Sequence, residues 1–281
     1  MPRNNERLGA TEAANSANTI PQENTKGILD FVLPTEFVDL PTKGKFYPEG
    51  HPLHNEESVE IRYMTAKDTD ILTSKSLLKK GIAVDRMIQN VLVNKDIDVD
   101  DLYIGDKNAI LVAARINGFG PEYKTKVTCP SCNTSSEHSF DLGELENSEE
   151  IELEEEYEIS EDGTFFVDLP ITKQTIECRL LSGKDEKAIF KRSEKRKKKN
   201  LLENSLTDQY KMFVVSVGGV TERGLVEEFI DVMPARDSSH LKSVYNKVTP
   251  NIDLSHDFSC NECDIETRIN VPFSANFFWP E

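Results

Sequence analysis

What this 281-residue chain lacks excludes several classes of protein. No apolar run approaches the roughly 18 residues needed to cross a bilayer as a helix. The opening Met1-Pro2-Arg3-Asn4-Asn5-Glu6 is too polar for a secretory signal. The expected setting is therefore a reducing cytoplasm. The signatures of common enzymes are missing too: no GxxxxGK[ST] phosphate loop, no HExxH, no GxSxG and no glycine-rich dinucleotide fingerprint. No catalytic residue is nominated, and the chain reads as a non-enzyme without a small-molecule substrate. Positive charge is in deficit. Lys and Arg number 33 against 50 Asp and Glu, a formal charge of −17, which opposes the phosphate contacts of a general nucleic-acid binder.

Only five cysteines are present, yet four form two pairs, Cys129-Pro130-Ser131-Cys132 and Cys260-Asn261-Glu262-Cys263. Each pair stands between short extended segments, Tyr123 to Thr128 in the first case and Ile252 to Ser259 in the second, and a returning strand follows. Two thiolates separated by two residues can face inward from one turn and fill two corners of a tetrahedron. A second such turn completes a four-sulfur structural zinc site with no open position for substrate. The metal ligands nominated are therefore Cys129, Cys132, Cys260 and Cys263, with one structural zinc per chain. The competing readings are two local disulfides, strained at this spacing, a thioredoxin-like redox pair, or free thiols. His138 and His256 lie near the pairs but have no vacancy to fill, so both are expected on the surface. Cys178 falls in an alternating run and is expected in the core.

Along the chain, residues 1–28 are polar and aperiodic and read as a disordered arm. Residues 29–57 interleave aromatics with proline, which favours an extended strap, either across the protein's own core or onto a neighbour. Val59 to Tyr63 alternates as a strand. Thr65 and Asp68 resemble a capping box opening a helix toward Lys80, stopped by Gly81. Val84, Met87, Ile88, Val91 and Leu92 keep helical spacing, and a further helix is expected from Asp106 to Asn117, ended by Gly118 and Gly120. Residues 58–142 form the first half. An acidic ribbon, 143–162, holds eleven carboxylates and no basic residue between Glu144 and Asp162, with Ile151, Leu153, Tyr157 and Ile159 at period two. Residues 163–281 form the second half. There Lys191 to Lys199 places seven basic residues in nine, read as an exposed helix end or a contact for an acidic partner or nucleic acid. Leu206, Tyr210, Phe213, Val214 and Val217 mark an amphipathic helix, and Gly218-Gly219 its stop.

The second half repeats the first. Ile176-Glu177-Cys178-Arg179 through Ser182, Lys184 and Asp185 matches Val59-Glu60-Ile61-Arg62 through Thr65, Lys67 and Asp68. Asp106 precedes Cys129 by 23 residues, as Asp237 precedes Cys260. The fold expected is α+β: two similar halves of strand, helices and CxxC β-hairpin, joined by a zinc-ribbon-like four-cysteine site whose binding energy becomes folding energy.

Four stretches together carry a family resemblance: Val38-Asp39-Leu40-Pro41-Thr42-Lys43-Gly44-Lys45-Phe46-Tyr47-Pro48, Met64 to Leu72, Ile104 to Leu111, and Cys129 to Cys132. The chain resembles the baseplate hub proteins of T-even-like contractile-tailed phages. The resemblance implies a structural component of the baseplate hub or a factor for its assembly. The implied partners are other baseplate and tail proteins, and the implied location is the virion tail after assembly in the host cytoplasm. Two other readings stay open. One is a zinc-ribbon nucleic-acid regulator, although Glu137, Glu262, Asp264 and Glu266 on the hairpins oppose it. The other is a thiol-redox protein using Cys129 and Cys132.

Overall fold

The computed structural model describes residues 32–145, 159–198, 205–272 and 275–278, and the chain divides into two units, Met1–Leu33 and Pro34–Glu281. All elements named below lie in the second. The proposed arm, 1–28, and residues 146–158 of the acidic ribbon fall outside the described residues. The described fold is α+β, with small antiparallel sheets and eight α-helices. None of the described helices is long and apolar enough to cross a membrane.

β1 (Thr35–Asp39) pairs antiparallel with β2 (Ser58–Arg62), with Val38 opposite Val59. Period-two alternation buries Val38, Val59 and Ile61 while Phe37 remains exposed. Among the described residues of the strap, the strand is β1. Beyond it the chain folds through successive turns, with Lys43 and Gly44 both at positive φ, and buries Leu40, Phe46, Tyr47 and Leu53. These side chains pack on the protein's own cores.

The helix expected from Thr65 to Lys80 is two helices, α1 (Ala66–Thr73) and α2 (Lys75–Lys80). Ser74 interrupts them in extended geometry and occupies the N-cap position of α2, with its hydroxyl 3.1 Å from Ser76 Oγ rather than on a backbone N–H. α3 (Ala83–Val91) buries Met87, Ile88 and Val91. α4 (Ile104–Phe119) extends past the expected limits at both ends, and Gly118 lies inside it. A Cβ on Gly118 would meet Met64 Sδ at 2.9 Å. This glycine permits close packing, and the helix ends at Gly120. The hairpin of β3 (Glu122–Thr128) and β4 (Ser135–Asp141) follows.

β5 (Thr164–Asp168) and β6 (Thr175–Arg179) then pair antiparallel, followed by α5 (Gly183–Lys198) and α6 (Ser205–Phe213). The helix anticipated through Val217 stops at Phe213. Val214–Val217 instead forms β7 beside β6. Three β-branched valines in four residues favour a strand, and Gly218 and Gly219, at positive φ, turn the chain after it. α7 (Arg223–Val232), α8 (Ala235–Val248) and the hairpin of β8 (Ser255–Ser259) and β9 (Glu266–Asn270) complete the order.

Several interactions occur twice. Arg62 forks onto Asp68 at 2.8 and 3.0 Å, and Arg179 onto Asp185 at 2.7 and 2.8 Å. The N–H of Thr65 donates to Asp68, and that of Ser182 to Asp185. Asp106, in the first turn of α4, accepts from the Thr42 N–H and hydroxyl and from the Tyr47 hydroxyl. Asp237, in the first turn of α8, accepts from the N–H groups of Ile171 and Thr172. Each carboxylate thus ties the loop after the first strand of its sheet to a long helix.

The two series interlock. Ile104 N–H donates to Leu181 O and Gly183 N–H to Leu102 O. Lys107 pairs with Asp85 at 2.8 Å and Glu186 at 2.6 Å, and Lys187 also reaches Asp85 at 2.8 Å. One core holds residues of β1 to β4 together with Phe258, Cys260, Val271, Phe277 and Phe278. The other holds β5 to α8 together with Phe46. The final hairpin therefore packs into the earlier core, where it meets the first hairpin.

Candidate metal centre

Both cysteine turns are built alike. Cys129 N–H donates to Thr134 O and Asn133 N–H to Cys129 O; Cys260 N–H donates to Ile265 O and Asp264 N–H to Cys260 O. Asn133 and Asp264 are left-handed, at φ 57° and 53°, a conformation that Asn and Asp tolerate better than other non-glycine residues. Each turn reverses the chain tightly and directs two sulfurs to one side.

The two turns face each other. Cys129 Sγ lies 3.8 Å from Cys263 Sγ, and Cys132 Sγ 3.7 Å from Cys260 Sγ. All four sulfurs lie within 4.8 Å of one another. A disulfide needs about 2.05 Å between sulfurs, so none is formed, and all five cysteines are free. Four sulfurs about 2.3 Å from a tetrahedral centre would stand about 3.8 Å apart, the separation found across the two turns. The donor set thus fits a metal ion.

Electrostatics agree with that fit. The Thr134 hydroxyl and N–H hold the Cys132 thiol down at about 6. The Ile265 N–H also favours ionisation of Cys263, but burial and the neighbouring sulfurs of Cys260, Cys132 and Cys129 outweigh it and push this thiol up to about 12. Packed thiolates repel one another, and a cation among them removes the repulsion.

The histidines are not on the open surface. His138 on β4 and His256 on β8 are half-buried between the hairpins, with ring centroids 6.0 Å apart. His138 packs edge-on against Phe258 at 5.3 Å, and His256 against Phe140 at 5.4 Å. Burial lowers the His138 pKa, as does His256 beside it. The four-sulfur group includes neither ring. Cys178 is buried in the second core, as expected, and burial pushes its thiol up.

A family model for the T4 bacteriophage base plate protein matches residues 34–279. The chain belongs to that family. Membership indicates a structural protein of a phage baseplate, and the match runs through both cysteine turns. No curated protein and no solved structure matches the chain.

Sequence reasoning missed one group that supports the centre. Arg115 on α4 is completely buried, yet it faces carbonyls: Nε donates to Phe277 O, and the terminal nitrogens to Gly120 O and Glu122 O. The guanidinium also lies 5.4 Å from the Phe119 ring centroid. It fastens the start of β3 and the turn Ala275–Phe278 to one helix, and Tyr123 adds a 2.9 Å bond to Pro272 O just after β9. No local pattern distinguishes this arginine from a surface residue.

Proposed function

We propose that this baseplate protein is a component of the tail hub or a factor for its assembly, built from two duplicated halves stapled by one zinc ion. The observation that carries the staple is the convergence of four sulfurs from two turns some 130 residues apart in sequence. Cys129, Cys132, Cys260 and Cys263 hold the ion. Zinc fits because four thiolates in a tetrahedron suit it and leave no site for activated water. The chemistry it supplies is charge neutralisation and a fixed junction, and the chain acts through surfaces without catalysing a reaction.

The duplication is supported by the paired Arg62–Asp68 and Arg179–Asp185 forks and by the loop anchors Asp106 and Asp237. A shared phrase adds to it: Thr35, Phe37-Val38-Asp39-Leu40-Pro41 recurs as Thr164, Phe166-Val167-Asp168-Leu169-Pro170. The division proposed is a strap, 29–57, which the shared phrase joins to the first half, 58–142, then the acidic ribbon, 143–162, and the second half, 163–281. The partners proposed are other tail proteins, with assembly in the host cytoplasm.

The experiment is a phage that lacks this chain. Sedimentation of infected-cell extracts should show heads and incomplete baseplate intermediates without finished tails. Finished, contractile tails in its absence would contradict the reading. Mass spectrometry of purified virions separates a resident hub subunit from an assembly factor that departs.

A further inference from the structure

Two sheets of this chain carry the same side chains on the face turned away from their cores. Across β1 and β2 the rows read Thr35–Arg62, Phe37–Glu60 and Asp39–Ser58. Across β5 and β6 they read Thr164–Arg179, Phe166–Glu177 and Asp168–Thr175. Five of these six positions hold the same residue, and the sixth keeps a hydroxyl. The inward faces of the same strands differ more. There Glu36, Val38, Val59 and Ile61 correspond to Phe165, Val167, Ile176 and Cys178, and only the valines Val38 and Val167 agree. Packing constrains the inside of a fold, and outward positions usually tolerate exchange. Here the outward face is the repeated one.

Folding accounts for part of the repeat. Arg62 and Arg179 fork onto Asp68 and Asp185. Glu177 accepts from the Thr164 and Ser216 hydroxyls, and Asp168 from that of Thr175. Folding does not account for the rings, because Phe37 is 70% exposed and Phe166 50%. Strand propensity is met equally by Thr or Tyr, whose polar ends suit water. With each arginine neutralised by its aspartate, each ring is left beside two carboxylates. Glu60 stands opposite Phe37 with Asp39 two residues along, and Glu177 stands opposite Phe166 with Asp168 two residues along. Among the described residues, no ion pair engages these four carboxylates.

We propose that the two sheets are equivalent docking faces for one kind of partner element, a basic segment carrying apolar side chains, so that each chain binds two copies of it. The apolar groups cover Phe37 or Phe166, and the cations meet Asp39 and Glu60, or Asp168 and Glu177. A guanidinium can stack on such a ring and pair with the neighbouring glutamate at once. Buried aromatic anchors supply the binding energy of such a contact, and the charges supply orientation and rate. The same carboxylates repel a phosphate backbone, which excludes nucleic acid. The inference rests on the proposed kinship of the halves and on a chain that acts through surfaces, and it adds the chemistry and number of the partner.

The test titrates the full chain, by calorimetry, with a peptide in which arginines alternate with leucine and tyrosine. Controls are the same peptide with serine for every apolar residue, the same peptide with glutamate for every arginine, and duplex DNA. The variants are Phe37→Ser, Phe166→Ser and both together, all at exposed positions, with thermal melts to verify folding. The wild-type chain should bind two copies and either single variant one. The double variant should bind at least about tenfold more weakly, and added salt should weaken every complex. Five results would overturn the proposal: no peptide binding, one copy on the wild-type chain, an unchanged count in the single variants, equal binding of either control peptide, or tighter binding of DNA. The count does not depend on the hub assignment or on the metal. A phage that finishes its tails without this chain would end the hub reading and leave the two faces standing, whereas unequal faces would end this proposal alone.

Discussion

The Sγ atoms of Cys132 and Cys260 lie 3.7 Å apart although 128 residues separate them in the chain. Closing so long a loop is entropically unfavourable, and its cost grows only slowly with length. The fold prepares the approach through ordinary packing. α4 carries Arg115, which holds β3 and the C-terminal turn together, and Phe140 and His256 meet between the hairpins. A metal ion would then join surfaces already in place.

Asp106 gives stability a specific pH dependence. Burial raises its carboxyl to about 6, against the lowering effect of the Thr42 and Tyr47 donors. A folded-state pKa above the unfolded value of about 4 means the native state binds the proton more tightly. This contribution is fully present below about pH 4 and is lost as pH rises through about 6. Asp106→Asn should therefore remove a decline in urea stability between those limits, measured as the difference between variant and wild type at several pH values.

Asp68 works in the opposite sense. Burial alone would raise its carboxyl, but the Arg62 fork, the Thr65 N–H and hydroxyl, and Asn90 hold it down at about 2. Its stabilisation is present above the unfolded pKa of about 4 and fades as pH falls toward about 2. Asp68→Ala leaves Arg62 facing an empty pocket and should cost about 3–5 kcal/mol. The double variant with Arg62→Ala should cost less than the sum of the single losses, and a denaturant cycle at neutral pH measures that coupling.

Arg115→Met removes three donations to backbone carbonyls and leaves those oxygens buried. The expected loss is at least about 2–3 kcal/mol, from the usual penalty for unsatisfied buried polar groups. Arg115→Lys should recover only part, because a compact ammonium cannot reproduce the planar fork. Hydrogen exchange should show the loss concentrated at β3 and the C-terminal turn. A uniform change across the protein would contradict the clamp.

The legible parts of the sequence were those with short-range signals. The two CxxC turns, the Thr65–Asp68 cap and the α3 stripe depend on spacing within a few residues, and the structure has all of them. The phrase shared by β1 and β5 also stands in the chain, but the prolines after Asp39 favour a strap, and the connection from β1 to β2 is much longer than that from β5 to β6. Val214 to Val217 continued a helical pattern by accident, and β-branching decided for a strand. Arg115 and the anchoring role of Asp106 had no local signal, because the contacts that matter are distant in sequence: Phe277 for the first, beside the nearby Gly120 and Glu122 carbonyls, and Thr42 and Tyr47 for the second.

The most direct measurement is the metal content of protein purified without chelator, wild type beside Cys260→Ser, each by native mass spectrometry with thermal unfolding before and after chelation. The account predicts one zinc per wild-type chain, none retained by the variant, and a large loss of wild-type stability on chelation that the variant does not repeat. A structural zinc site is worth on the order of 10 kcal/mol in small domains, so the loss should be unmistakable. Wild-type protein free of metal and indifferent to chelator would contradict the staple, as would a variant that keeps its full complement of zinc.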